Sequence, residues 1–415
     1  MKTVDRATTA GRKAPKPRGF SLIELLVASA VFLLIAGAAF TLFAKQQLSS
    51  EVVLGQTGLN LALRNAATQL QIDLANAGSY YYQAGSVNVP GWPVGVSIIN
   101  NVPGAGTSCY TASTNTYGAN CFDQINIVSA ADPTSYPAIN ATDTSGGTNP
   151  TTNCSNTSTD YGGGAGNAWG QAAAGLSLSA TALKFKQNDQ LLFVDSTGNF
   201  ITSVVLTQDA AVDPGGKAVK FVFLKTNTDG SNPYDSAHPN KYDPLHITDC
   251  LGQASPCTVN NKLQTQFCGN DWILKLAPIT YQVDTTTNPS NPTLTRTQGG
   301  STTTLMEQVI GFKVGAAIWN ASHGTDTDDC SPAGTLYCPF NYNASTYWNN
   351  ASGDMKYNYS LVRAVRVSLI GRTIPNNDPN YKFRNAFDNG PYQVQGTALV
   401  VNPRDMSMND DQVDE

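Results

Sequence analysis

Few side chains in this 415-residue chain fall into a spacing that chemistry would use. His238, His246 and His323 lie in loop-like sequence, with no Gly-x-Ser-x-Gly, His-Glu-x-x-His or phosphate-loop pattern beside them. A nucleophile with an activating base is not legible, so no enzyme is expected. Asp326, Asp328 and Asp329, just ahead of Cys330, supply some of the alternating oxygens of a calcium loop but lack its full spacing. A solvated loop is the plainer reading, and neither metal nor cofactor is expected. The eight cysteines (109, 121, 154, 250, 257, 268, 330 and 338) form no CxxC pair, and their even number fits disulfides in an oxidising compartment. Spacing favours Cys330–Cys338 first and Cys109–Cys121 next, each closing a small loop worth roughly 2–3 kcal/mol. The remaining residue of chemical interest is Glu24, a lone carboxylate at the head of a 20-residue uncharged run, Leu25 to Ala44. A carboxylate in such a helix costs about 3 kcal/mol, so a partner for it is expected.

The elements around Glu24 are legible too. Residues 1–19 hold six Lys/Arg and one Asp, net +5, so the remainder carries −5 − 5 = −10. A basic flank ahead of a bilayer-length apolar run places the front of the chain in a membrane with its start in the cytoplasm. The acidic remainder, without a basic patch, argues against nucleic acid as a direct partner. Charged residues make up only 13% of the chain, which suits an extracytoplasmic β-rich surface. Beyond the run, Leu48, Val52, Leu59, Leu63, Ala66, Leu70 and Leu74 recur at helical spacing. Asn76-Ala77-Gly78 closes the pattern. One helix from Phe20 to Ala77 would be roughly 87 Å long, apolar all round at first and one-sided later. Gly55 and Gly58 weaken it locally.

Gly19-Phe20-Ser21-Leu22-Ile23-Glu24 followed by the apolar run resembles the prepilin cleavage and methylation motif of type IV pilins and type II secretion pseudopilins. The resemblance implies cleavage between Gly19 and Phe20 by a prepilin peptidase and methylation of the new amine. Glu24 would then serve filament assembly, neutralising the terminal amine of a neighbouring subunit in an apolar bundle where unpaired charge is costly. The stretch Leu70 to Gln83, "LMEQVIGFKVGAAIW" and "LVRAVRVSLIGRT" resemble the PilW family of large minor pilins. The resemblance covers residues 19–83 and roughly 305–401, though the helix end lacks that family's arginine.

The expected organisation is a leader at 1–19, a spine helix at 20–78 (membrane-spanning at 20–44) and a β-rich globular domain at 79–415. Within it, 102–174 and 226–269 read as long insertion loops. The first contains a short strand at Gln124–Val128. Strand signals fall at Ala182–Lys186, Leu191–Asp195, Ile201–Thr207 and Ala218–Lys225, an apparent meander. They resume at Trp272–Val283, Gln308–Ile318, Leu361–Ile370 and Gln393–Val401. Arg363 and Arg366 lie on opposite faces of one strand, which leaves open whether one is buried against a carboxylate or both are solvated. Tyr80, Tyr81 and Tyr82 suit packing at the helix end. The expected fold is α+β, a long N-terminal helix packed on an antiparallel sheet with disulfide-tied loops.

The resemblance implies a minor pilin, held in the bacterial inner membrane with its domain in the periplasm, then incorporated near the pilus tip to prime assembly. Its partners would be prepilin peptidase, other major and minor pilins, the inner-membrane assembly platform and a tip adhesin. Two alternatives stand: a J-type pseudopilin of type II secretion, and a pilin-stalked adhesin or DNA-uptake protein.

Overall fold

The computed structural model describes residues 21–85, 92, 94–101, 109–111, 113–114, 116–118, 121–142, 165–199, 201–224, 267, 269–318, 359, 362–375 and 382–407. In chain order the elements are helix α1 (Leu22–Ala75), a 3-10 turn (Tyr81–Ala84), and strands β1 (Val96–Ile99), β2 (Tyr110–Thr111), β3 (Thr116–Tyr117), β4 (Gln124–Ile127), β5 (Ile139–Thr142) and β6 (Ala165–Gly170). Helix α2 (Leu178–Ala182) precedes β7 (Gln190–Val194), β8 (Ile201–Val205), β9 (Ala211–Val212) and β10 (Val219–Leu224). The chain continues through β11 (Trp272–Lys275), β12 (Ile279–Asp284), β13 (Thr293–Gln298) and β14 (Ser301–Met306). It closes with β15 (Val309–Ile318), β16 (Val362–Arg372), β17 (Val394–Val401) and helix α3 (Arg404–Ser407). Two compact units emerge, Met1–Thr57 and Gly58–Glu415.

The first unit is the front of α1. Leu22, Ile23, Leu25, Leu26, Phe32, Leu33, Leu34 and Ile35 are all exposed, so no side of this segment has a core of its own. Among the described residues α1 is the one helix long and apolar enough to cross a membrane. Its carbonyls and amides are satisfied internally, which a spanning segment requires.

In the second unit α1 becomes one-sided. Leu59, Leu63, Ala66, Leu70 and Leu74 are buried in the main core, at the three- and four-residue steps that line one helix face. The same core takes in Val96 and Ile98 of β1, Ile125 and Ile127 of β4, Tyr281 of β12 and Val365, Val367 and Leu369 of β16. These strands belong to a five-stranded antiparallel sheet, β1-β4-β12-β13-β14, and a three-stranded one, β15-β16-β17. Two close approaches set the geometry. A Cβ on Gly371 would meet Leu59 Cδ1 at 2.7 Å, and one on Gly95 would meet Gly78 N at 2.5 Å and Ala77 C at 2.9 Å.

A seven-stranded sheet, β8-β7-β11-β5-β6-β10-β9, is built wholly from residues between β4 and β12. Yet β4 and β12 pair directly, Ile127 opposite Ile279 and Ile125 opposite Tyr281. The chain leaves and returns at one point, where Ala131 N donates to Lys275 O (2.7 Å) and Ala277 N to Ser129 O (2.8 Å). The inserted sheet separates two cores. Leu192, Val194 and Leu274 face the main core, and Leu191, Phe193 and Ile273 face a second one with Phe185, Phe221, Phe223 and Phe267.

Residues 102–174, expected as an insertion loop, thus supply β2 to β6 in the described parts, and β5 and β6 are interior strands of the seven-stranded sheet. Most of 226–269 lies outside the described residues. Ala182–Lys186 is not a strand. Ser177 Oγ accepts from Ala180 N at 3.2 Å and starts α2 instead, and the chain turns after it. The expected meander holds only for the β7–β8 hairpin, because β11 takes the other edge of β7.

Candidate functional site

Helix α1 starts at a reciprocal pair of bonds. Ser21 N donates to Glu24 Oε2 at 3.0 Å, and Glu24 N donates to Ser21 Oγ at 3.3 Å. Ser21 O also accepts from Leu25 N at 3.2 Å. This is a capping box, in which two of the orphan amides of a helix start are satisfied by the residues at its ends. Glu24 sits in the first turn, where the helix dipole favours a negative charge. Ser21 and Glu24 are both exposed. The carboxylate therefore has a local bond to Ser21 and an open side. Gly19 and Phe20, the expected cleavage residues, lie outside the described residues.

At the other end of α1, Asp73 is buried on the core-facing side. It accepts from Arg296 Nε (2.6 Å) and Nη2 (3.3 Å) on β13, and from the Tyr281 hydroxyl (2.5 Å) on β12. A carboxylate in the last turn opposes the helix dipole, and the fork of Arg296 offsets that with a two-point, charge-assisted bond. Burial first, then the hydrogen bond to Asp73 and the charge of that carboxylate, push the Tyr281 hydroxyl far up, so it stays a donor.

A second polar cluster covers the end of β16. Arg372 is fully buried, donating to Gln308 Oε1 (2.7 Å) and Ser290 O (2.6 Å). Its guanidinium stacks over Tyr392 (4.6 Å) and Tyr117 (5.3 Å). Both tyrosine hydroxyls donate to Asp388. Burial raises the Asp388 carboxyl, but the bonds from Tyr117, Tyr392, Asn385 and Gly390 N together outweigh it and hold the carboxyl below its usual range. Cys109 and Cys121 are bonded, with Cα atoms 5.6 Å apart, and tie together the hairpin β2–β3 that carries Tyr117.

Of the other sequence-predicted residues, Arg366 is exposed and Arg363 half-buried, its Nη1 donating to Met406 O at 3.3 Å. Tyr81 is buried against Trp92, with ring centroids 4.8 Å apart, whereas Tyr82 is exposed. Cys154, Cys250, Cys257, Cys268, Cys330, Cys338, Asp326, Asp328 and Asp329 all lie outside the described residues. Among the described residues no group of three or more His, Cys, Asp or Glu could hold a metal ion. Sequence reasoning reached Glu24 but missed its Ser21 partner, although Ser-x-x-Glu before an apolar run is the signature of a capping box. Asp73, Arg296, Tyr281 and Arg372 carry no local signal, because the partners that define them lie far away in the chain. Asp388 has near neighbours in Asn385, Gly390 and Tyr392, and only Tyr117 reaches it from afar.

Residues 15–40 match the prokaryotic N-terminal methylation motif. A prepilin-type motif opening a membrane-length helix supports a type IV pilin-like protein or pseudopilin, processed by prepilin peptidase and assembled with other pilins. No curated protein and no solved structure matches the chain.

Proposed function

We propose that the chain is a minor pilin of a type IV pilus, of the PilW kind, cleaved between Gly19 and Phe20 and methylated on Phe20. Held in the inner membrane by α1 with its β-rich unit in the periplasm, it enters the filament near the tip and primes assembly. The observation that carries this reading is Glu24, bonded to Ser21 on one side and open on the other, at the head of an exposed apolar helix inside the matched motif. After cleavage the new amine stands one residue before Ser21. In an apolar bundle the open side of the carboxylate gives a neighbouring subunit's amine the counter-charge it lacks. Size supports sparse incorporation: a mature chain of 415 − 19 = 396 residues would crowd a closely packed shaft.

Two measurements test this. N-terminal mass spectrometry of membrane-extracted protein should find N-methyl-Phe20, and Gly19→Val should keep the leader; a start elsewhere rejects the assignment. Quantifying the subunit in sheared pili should give a small fraction of the major pilin, lost with the pilus machinery. A subunit absent from pili, whose deletion blocks protein secretion instead, would identify a pseudopilin.

A further inference from the structure

Among the described residues β17 pairs with β16 alone and no strand lies along its other edge. Its eight residues, VQGTALVV, contain no charge and no proline, and its ladder to β16 runs without a bulge. Natural edges are usually blunted by one of those devices, and an edge lacking all of them is a template for another strand.

The outward groups can be identified. Thr373 N donates to Gln393 O at 2.9 Å, one step beyond the Arg372–Val394 pair. Bonded pairs recur at every second residue of an antiparallel ladder. Gln395, Thr397, Leu399 and Val401 therefore turn their N–H and C=O groups toward β16. Gly396, Ala398 and Val400 turn theirs away from it. All three residues are exposed, and the side chains of Ala398 and Val400 share one face of the sheet.

We propose that this edge pairs, antiparallel, with β17 of a second copy of the chain about a two-fold axis through Ala398. In that register Ala398 faces its counterpart, and Gly396 of each copy faces Val400 of the other. The branched side chain falls beside the residue that has none. Each of the three pairs exchanges two backbone bonds. No charge lies along either strand, so bringing two identical edges together meets no like-charge opposition. A self-complementary patch is what a two-fold contact requires. Among the described residues the outer edge of β14 is unpaired too, but its exposed Ser301, Thr302, Thr303 and Thr304 offer hydroxyls and no apolar strip.

The test uses the full chain in detergent micelles. Light scattering after size exclusion should give twice the monomer's protein mass for the wild type. Ala398→Pro, which removes one outward N–H and leaves the bonds to β16, should return the monomer mass. Ala398→Cys should form a covalent dimer on mild oxidation, because opposed α-carbons lie about 5.5 Å apart, within disulfide reach. Gln395→Cys should not, because it lies roughly 20 Å from its counterpart. A monomeric wild type, a dimer that survives the proline (as one held by the apolar helix would), or equal cross-linking at 395 and 398 overturns the proposal. If Ala398→Pro does not fold, the two cysteine variants decide the matter.

Discussion

Glu24 combines two features that substitutions can separate. Its oxygen caps a helix start and its charge faces outward. Glu24→Gln keeps an oxygen for the Ser21 amide, as glutamine serves equally in a capping box, but removes the charge. Ser21→Ala does the reverse, weakening the helix start by about 1 kcal/mol while keeping the carboxylate. On the assembly reading Glu24→Gln should be cleaved and stable yet depleted from sheared pili, with Ser21→Ala close to wild type. Equal incorporation of both would leave the carboxylate without an assembly role. At the far end of the same helix, Asp73→Ala strands the half-buried Arg296 guanidinium, and urea melts should show a loss of about 3 kcal/mol. Asp388 brings a pH dependence. Its folded pKa lies below the unfolded 3.8, so its contribution is present above about pH 4 and fades as pH falls below it. Asp388→Asn should flatten the acid limb of a stability–pH curve. Asp189 works in the opposite sense: burial raises its carboxyl despite the bond from Lys275, so its share falls as pH rises past the unfolded value.

Elements with a strong periodic signal are legible in the order of residues alone. The burial of Leu59, Leu63, Ala66, Leu70 and Leu74 follows the spacing of the apolar positions, and β15, β16 and β17 lie where alternation places strands. Strands without that signal are not legible. β6 reads AGNAWG, with no apolar alternation; it is held by pairing with β10 and β5, and Cβ atoms on Gly166 and Gly170 would run into Phe223 and into Ile139 and Phe221. The β13–β14 turn, Gly299-Gly300, has both residues at positive φ (55° and 76°), a hairpin signature masked in the sequence by its threonine-rich flanks. Two predictions belong at this scale. Gly95→Ala places a Cβ against the backbone of Ala77 and Gly78 and should cost about 1–3 kcal/mol by thermal melt. Replacing Cys109 and Cys121 by serine opens a loop of sequence separation 12 and should cost about 3 kcal/mol.

At the scale of the whole molecule, an expectation of loops gives way to an inserted sheet with its own core. The reason is chain separation: β5 meets β11 across more than a hundred residues, Ile139 opposite Ile273, and no local pattern encodes such a pairing. Because, among the described residues, the second core draws only on residues 139–273, a cavity made there should be felt there first. Phe221→Ala should raise amide exchange in β6 and β10 well before it does so in β4 or β16. Uniform acceleration would mean that the two cores open together.

The run of buried side chains on α1 also has a mechanical side. From Leu59 to Leu74, roughly 22 Å of helix is held along one flank, and at its far end Asp73 is bound by Arg296 and Tyr281. A pull along the helix axis would load these contacts side by side as a shear joint, all of them having to yield together. A pull across the axis would peel them open one at a time. A helix seated in this way yields less readily to tension along its axis than to tension across it.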